Sequence, residues 1–231
     1  MSKRYTAVAG QVDRSRRLSV TEAVEVVKKC ATAKFDETVE LTVRLGINPK
    51  QSDQTVRTAA VLPHGSGAKR KVLVLAKGDK EKEAQAAGAD YVGAEDLIEK
   101  ISKGWLDFDI VIATPDLMRA ASSLGKVLGP KGLMPNPKSG TVTFEIGRIV
   151  KESKAGRVEL RNDSYGIVHA AIGKASFPAE HLAANANAVM EVVMRARPPA
   201  AKGAYVRRVF LSSTMGPGVE VDSGAFAPQE G

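Results

Sequence analysis

The stretch Thr38–Leu45, TVELTVRL, alternates between polar and apolar residues at every position. Successive side chains of a β-strand point to opposite faces of a sheet, so this alternation predicts a strand that buries one face only. Antiparallel sheets commonly have such a half-open form. Ahead of it, Ser19 and Glu22 have the spacing of a capping box and predict a covering helix that starts at Val20. The open face, which is either plain solvent-exposed surface or a binding surface, would carry Thr38, Glu40, Thr42 and Arg44.

A different pattern occupies the middle of the chain. Lys71–Ala76 and Asp109–Ala113 are nearly continuous apolar runs, as expected for strands that are buried on both faces. Helix-forming stretches follow at Lys80–Ala87 and Glu95–Ser102. Alternating strands and helices at this spacing predict a small parallel, Rossmann-like α/β domain with right-handed crossovers.

The half-open pattern returns after Gly156, where Arg157–Arg161 alternates and Asn162–Gly166 has turn chemistry before a returning strand at Ile167–Ile172. We therefore expect an α+β domain, with an open-faced antiparallel sheet covered by helices on one side, into which the α/β domain is inserted. The expected ranges are 1–66 and 157–231 for the discontinuous domain I, 67–156 for the inserted domain II, and hinge segments near 63–67 and 155–158.

Composition places the chain among globular proteins. It has 231 residues, 43% of them hydrophobic and 26% charged, which excludes a disordered chain, a collagen and a coiled coil. No membrane span or signal peptide is expected, and the single cysteine, Cys30, allows no internal disulfide. We therefore expect a cytoplasmic protein. The net charge of +8 suggests a polyanionic partner without requiring one. Five of the basic residues lie within the first 17 positions, against the single acid Asp13.

The motifs that would indicate catalysis are absent from the sequence. There is no dinucleotide-binding or Walker glycine pattern, no nucleophile elbow and no HExxH. His64, His169 and His181 lack metal-ligand spacing. We therefore expect no enzyme activity, no cofactor and no metal. A nucleotide-binding enzyme or regulator that uses the inserted α/β domain remains the alternative.

The features that favour binding lie in the first domain. Either the 157–161 strand or the Ile167/His169 strand would extend the open face. The corner Ser212–Gly216 offers hydroxyls and free backbone amides. Short hydroxyls, a glycine and scattered basic residues suit a structured RNA backbone with its 2′-hydroxyls.

Five motifs resemble, in order and at the right spacing, the ribosomal protein L-one family of the large subunit in its bacterial form. They are 34–40 (KFDETVE), 62–65 (LPHG), 128–138 (LGPKGLMPNPK), 174–177 (KASF) and 214–217 (TMGP). The resemblance implies a protein that binds large-subunit rRNA directly and forms the mobile stalk of the ribosome. It also implies assistance in the release of deacylated tRNA from the exit site, and repression of its own operon mRNA through a structure that imitates the rRNA site. The implied partners are these RNAs and other large-subunit components, with no membrane and no homo-oligomer.

The resemblance also implies where RNA binds. The family's main contacts fall on Lys34, Phe35, Thr38, Ser213, Thr214, Met215 and Gly216. Further contacts are expected at Arg161, His169, Lys174 and Ser176, and the open face adds Glu40 and Arg44. Two of these have a structural alternative, because Phe35 could fill the core and Met215 could cap the end of the sheet. The Gly129–Lys138 loop is either a secondary contact surface or purely structural.

Overall fold

The computed structural model of this chain describes residues 3–13 and 15–226. In chain order the helices are α1 Lys3–Ala9, α2 Val20–Cys30, α3 Asp79–Ala86, α4 Glu95–Ser102, α5 Pro115–Ala121, α6 Gly125–Leu128, α7 Ile146–Ala155 and α8 Ala179–Arg195. The strands are β1 Thr38–Leu45, β2 Arg57–Val61, β3 Val72–Leu75, β4 Tyr91–Gly93, β5 Ile110–Ala113, β6 Arg157–Arg161, β7 Ile167–Lys174, β8 Val206–Ser213 and β9 Val219–Val221.

Contacts group these elements into two compact units, Met1–Gly67 with Val158–Gly231 and Ala68–Arg157. We call them the α+β unit and the α/β unit. The α+β unit holds a four-stranded sheet of order β7-β1-β8-β9, in which neighbouring strands are antiparallel. The inward residues of β1 share one core with α2 and α8, which therefore cover one face of this sheet. The capping box at Ser19 and Glu22 is confirmed, and α2 begins at Val20 as predicted.

The pairing of β1 determines which loops meet. Thr38, at the start of β1, pairs with Lys174 at the end of β7, and Val39 pairs with Ser213 at the end of β8. Because both neighbours run antiparallel to β1, the loop that enters β1 and the loops that leave β7 and β8 lie at the same end of the sheet.

Strand β6 does not extend the four-stranded sheet. It pairs with β2 in a separate two-stranded sheet, and the residue that follows it, Asn162, forms an isolated bridge with Val168 of β7. The amide Oδ1 of Asn162 accepts a hydrogen bond of 2.7 Å from Val56 N, and its own backbone N–H donates to Val56 O at 3.1 Å. These bonds tie the end of β6 to the segment before β2. Of the two strands considered for extending the open face, the structure uses only the one that carries Ile167 and His169.

The α/β unit contains a parallel sheet of order β4-β3-β5. Alternate residues of β3 belong to different clusters: Leu73 and Leu75 pack among residues of α4 and α5, while Val72 and Val74 pack among residues of α3 and α7. Both faces of β3 are therefore buried, which explains its uninterrupted apolar sequence.

Candidate nucleic-acid interface

Three loops from distant parts of the sequence converge at one end of the four-stranded sheet. They comprise residues 31–37 before β1, 175–177 after β7 and 214–216 after β8. We call this end of the sheet the sheet-end surface. It is defined by Lys34, Phe35, Thr214 and Met215 of these loops, together with Arg4 of α1.

A buried carboxylate joins two of these loops. Glu37 is only 1% exposed. Its Oε1 accepts a hydrogen bond from Ala33 N at 2.8 Å, and its Oε2 accepts from Ser213 Oγ at 2.7 Å and from Met215 N at 2.9 Å. One side chain thus fixes the loop that carries Lys34 and Phe35 against the corner that carries Met215.

The same contacts keep this carboxyl group ionised. Loss of water around Glu37 would by itself raise its pKa. The hydrogen bonds from Ala33, Ser213 and Met215, with the nearby charge of Arg4, outweigh that effect and hold the pKa below the ordinary value of 4.5. Glu37 is therefore an anion at neutral pH, and its carboxylate accepts hydrogen bonds from within the protein.

Thr38 links the remaining parts of the surface. Its backbone N–H donates to Thr214 Oγ1 at 2.9 Å, and the Thr214 hydroxyl donates to Thr38 O at 3.3 Å. The hydroxyl oxygen of Thr38 in turn accepts from Lys174 Nζ at 2.8 Å. The third loop is fixed by Asp36, whose carboxylate accepts from both Ser176 N, at 3.1 Å, and Ser176 Oγ, at 2.8 Å. The three loops are therefore fastened to one another by side-chain hydrogen bonds.

Two large apolar side chains project from this framework. Phe35 is 55% exposed and Met215 is 49% exposed. The structural alternative for Phe35, in which it fills the core, is therefore wrong. Lys34 is also exposed. The guanidinium of Arg4 in α1 lies 3.4 Å from Met215 O and 3.3 Å from Thr32 Oγ1, which brings a second cation to the surface.

Ser213 and Gly216 were expected to contact RNA, but in the structure their contacts are with the protein itself. Ser213 is buried and its hydroxyl donates to Glu37, so this hydroxyl is not presented at the surface. At Gly216, an added Cβ would lie 2.4 Å from Ser213 Oγ. The close approach that requires glycine here is made by the protein's own chain, so both residues shape the corner from within.

The remaining predicted residues lie progressively farther along the sheet or outside it. Glu40 and His169 are exposed on the strands β1 and β7, and His169 Nδ1 lies 3.4 Å from Thr42 Oγ1. Arg44 is six residues beyond Thr38, about 20 Å away at roughly 3.3 Å per residue. Arg161 is exposed on β6, outside the four-stranded sheet.

Sequence reasoning missed Glu37 and Arg4. The alternation of β1 places position 37 on the same side as Val39 and Leu41, so a charged residue there was a signal that a buried carboxylate needs partners. Arg4 belongs to the basic N-terminal segment, but nothing local connects it to residue 215. Arg14, in the same segment, lies outside the described residues.

Three further observations concern metal ions, membranes and nucleotides. Within residues 3–13 and 15–226, no group of three or more His, Cys, Asp and Glu side chains is arranged to hold a metal ion. The helices of this part of the chain include none that combines the length and apolarity needed to cross a membrane. In the α/β unit, the helix that follows β3 carries Asp79 and Glu81 in its first turn, where their negative charge would repel a phosphate.

Comparison with known protein families identifies the family of this chain. The sequence model of the Ribosomal protein L1p/L10e family matches residues 27–217, which is well over half of the chain. The matched segment includes all three loops of the sheet-end surface and the whole α/β unit. The chain therefore belongs to the ribosomal protein L1p/L10e family and is a ribosomal protein of the large subunit, a structural and RNA-binding component of the ribosome rather than an enzyme.

Proposed function

We propose that the sheet-end surface is the part of the chain that binds large-subunit rRNA directly. The observation that carries this proposal is the framework around Glu37. Its buried carboxylate holds two loops in place, and those loops present the exposed side chains of Phe35 and Met215 beside Lys34 and Arg4. A fixed apolar surface with cations at its rim has the chemistry that an RNA strand requires.

Four side chains at or beside this surface match the chemistry of RNA. Aromatic side chains such as Phe35 stack on bases, and this contact tolerates many sequences because every base has a π-face. Lys34 and Arg4 suit phosphates, which position an RNA without reading its sequence. Thr38 retains its hydroxyl hydrogen for donation to a 2′-hydroxyl or a phosphate oxygen. Lys174 and Ser176 support these groups through Thr38 and Asp36.

The resemblance to the family supports three more specific functions. We propose that the bound rRNA is that of the mobile stalk, that the chain assists release of deacylated tRNA from the exit site, and that it represses its own operon mRNA. A single surface would serve rRNA and mRNA, since the messenger imitates the ribosomal site. The two compact units support the proposal of a two-domain protein with a hinge near residues 63–67 and 155–158, and the motif at 128–138 supports the bacterial form of the family.

Phe35→Ala tests the location of the site. A stacked base contributes roughly 1–3 kcal/mol, so we expect binding to a stalk rRNA fragment to weaken about 5- to 150-fold. Phe144→Ala is a matched control, because Phe144 is 54% exposed and lies in the α/β unit. Filter binding with rRNA and mRNA fragments measures both variants. A loss with Phe144→Ala that equals or exceeds the loss with Phe35→Ala would contradict the proposal.

Thr214→Ala tests the connection between Thr214 and Thr38. The change removes the acceptor for Thr38 N–H and lets the corner move away from β1. Loss of such a bond costs roughly 1–3 kcal/mol, and we expect rRNA and mRNA binding to weaken together by about 5- to 150-fold. Thr214→Ser keeps the hydroxyl and should bind nearly as the parent does. If rRNA binding falls while mRNA binding is unchanged, the two RNAs do not share this surface.

A further inference from the structure

The α/β unit has an aromatic cavity that the sheet-end surface does not involve. It is an open cavity of about 500 Å³ and is lined by Tyr91, Leu97, Lys100, Lys103 and Trp105. Its lining is mostly apolar, and two of its five lining residues are lysines. Leu97 belongs to a buried apolar cluster of the α/β unit, and Tyr91 and Trp105 pack against that cluster.

Local geometry holds the two rings in place. Helix α4 is followed by Gly104, whose φ of +98° is a conformation that favours glycine. This turn lets Trp105 N donate to Lys100 O at 3.2 Å, which fixes the indole beside the end of the helix. The ring of Tyr91 meets the indole edge-on, with centroids 4.8 Å apart. The phenol hydroxyl of Tyr91 donates to Asp107 Oδ2 at 3.2 Å.

The lysines are available for an anionic ligand. Lys103 Nζ lies 3.9 Å from a Glu99 carboxylate oxygen, and both side chains are largely exposed, so this pair is weak. In the described part of the chain no ion pair involves Lys100. The last carbonyl groups of α4 already accept hydrogen bonds from the amides of residues 103–105, so capping the helix does not require either side chain.

The position of the cavity argues against a cofactor site. Tyr91 begins β4, and Trp105 lies in the connection that leads into β5. The cavity is therefore at the amino ends of the parallel strands, whereas sheets of this kind bind catalytic nucleotides beyond their carboxyl ends. A cavity with aromatic rings and two cations at the amino ends of the β-strands suits the binding of a nucleic-acid strand rather than catalysis.

We propose that this cavity accepts one unpaired base of an RNA strand, with Lys100 and Lys103 contacting the phosphates on either side of it. The two lysines are three residues apart and so lie about one helical turn from each other. Two separated cations match the two phosphates that flank a base within a strand, whereas a free mononucleotide offers only one phosphate site. This site is independent of the sheet-end surface and does not rest on the function proposed for it.

The fluorescence of Trp105 provides the test, because it is the single tryptophan of the chain. The full-length protein is titrated with a short single-stranded oligoriboadenylate and, separately, with adenosine monophosphate. We expect saturable quenching by the oligomer and at least tenfold weaker binding of the mononucleotide. Lys100→Ala combined with Lys103→Ala should weaken oligomer binding at least fivefold. Lys82→Ala combined with Lys151→Ala, two exposed lysines on α3 and α7 of the same unit, is the matched control and should leave it unchanged.

Several results would overturn the proposal. They are quenching that never saturates, equal affinity for the oligomer and the mononucleotide, and equal losses in the test and control variants. A lower melting temperature of the Lys100/Lys103 variant with unchanged oligomer binding would also contradict it, since the lysines would then only stabilise the end of α4. The measurement does not depend on rRNA binding, so its failure is distinguishable from failure of the sheet-end proposal.

Discussion

Glu37→Gln is expected to destabilise the α+β unit by about 2–4 kcal/mol at pH 7, since hydrogen bonds to a charged group contribute roughly 1.5–3 kcal/mol each. A glutamine amide keeps one acceptor oxygen, and its NH₂ group faces a donor in either orientation: Ala33 N–H in one, Ser213 Oγ–H and Met215 N–H in the other. We expect rRNA binding to fall as well, because the corner loses its attachment to the loop of Lys34. Denaturant unfolding followed by circular dichroism measures the stability. Glu25→Gln, on the exposed side of α2, is the control and should change it little.

The pH dependence of this effect follows from the lowered pKa of Glu37. A carboxyl group whose pKa is lower in the folded state stabilises the fold fully above its unfolded pKa, here 4.5. That stabilisation is lost as the pH falls through the folded pKa, which lies below 4.5. The gap in unfolding free energy between the parent and Glu37→Gln should therefore be largest at neutral pH and shrink below pH 4.5. A gap that stays constant down to pH 3 would show that the charge of Glu37 does not matter.

Gly216→Val is expected to weaken rRNA and mRNA binding by about 50-fold or more, the effect of roughly 2–3 kcal/mol or more. Its Cβ would displace the hydroxyl of Ser213, which lies 2.4 Å from that position, and so break the bond from Ser213 to Glu37. Gly218→Val is the matched control two residues away, where the nearest atom, in Phe210, is 3.9 Å from the added Cβ. Combining Gly216→Val with Glu37→Gln should add little, because both changes remove the same contact. Normal binding by Gly216→Val would refute this description of the corner.

Local patterns in the sequence predicted the elements well. The alternation of Thr38–Leu45 and the nearly continuous apolar run at Lys71–Ala76 both correspond to strands with the expected burial. Ser19 and Glu22 marked the first residue of α2. These predictions succeeded because strand periodicity and helix capping depend on residues a few positions apart.

Long-range pairing could not be predicted in the same way. Alternation predicted that Arg157–Arg161 is a strand, but it could not predict that Asn162 ties this strand to Val56. Arg161 was therefore expected beside the four-stranded sheet, to which its strand does not belong. Glu37 was overlooked because its partners, Ser213 and Met215, lie about 176 residues away in the sequence. Lys34, Phe35, Thr214 and Met215 lie within the short motifs that resemble the family. Arg4 and the buried Glu37 join them only because the fold brings distant segments together.

Lysine footprinting tests the central claim most directly. The free chain and its complex with large-subunit rRNA are acetylated under identical conditions, and each lysine is quantified by mass spectrometry. We predict strong protection of Lys34 at the sheet end and no protection of Lys202, which precedes the opposite end of β8. Protection confined to Lys131 and Lys138 in the α/β unit, with Lys34 as reactive as in the free chain, would contradict the assignment of rRNA binding to the sheet-end surface.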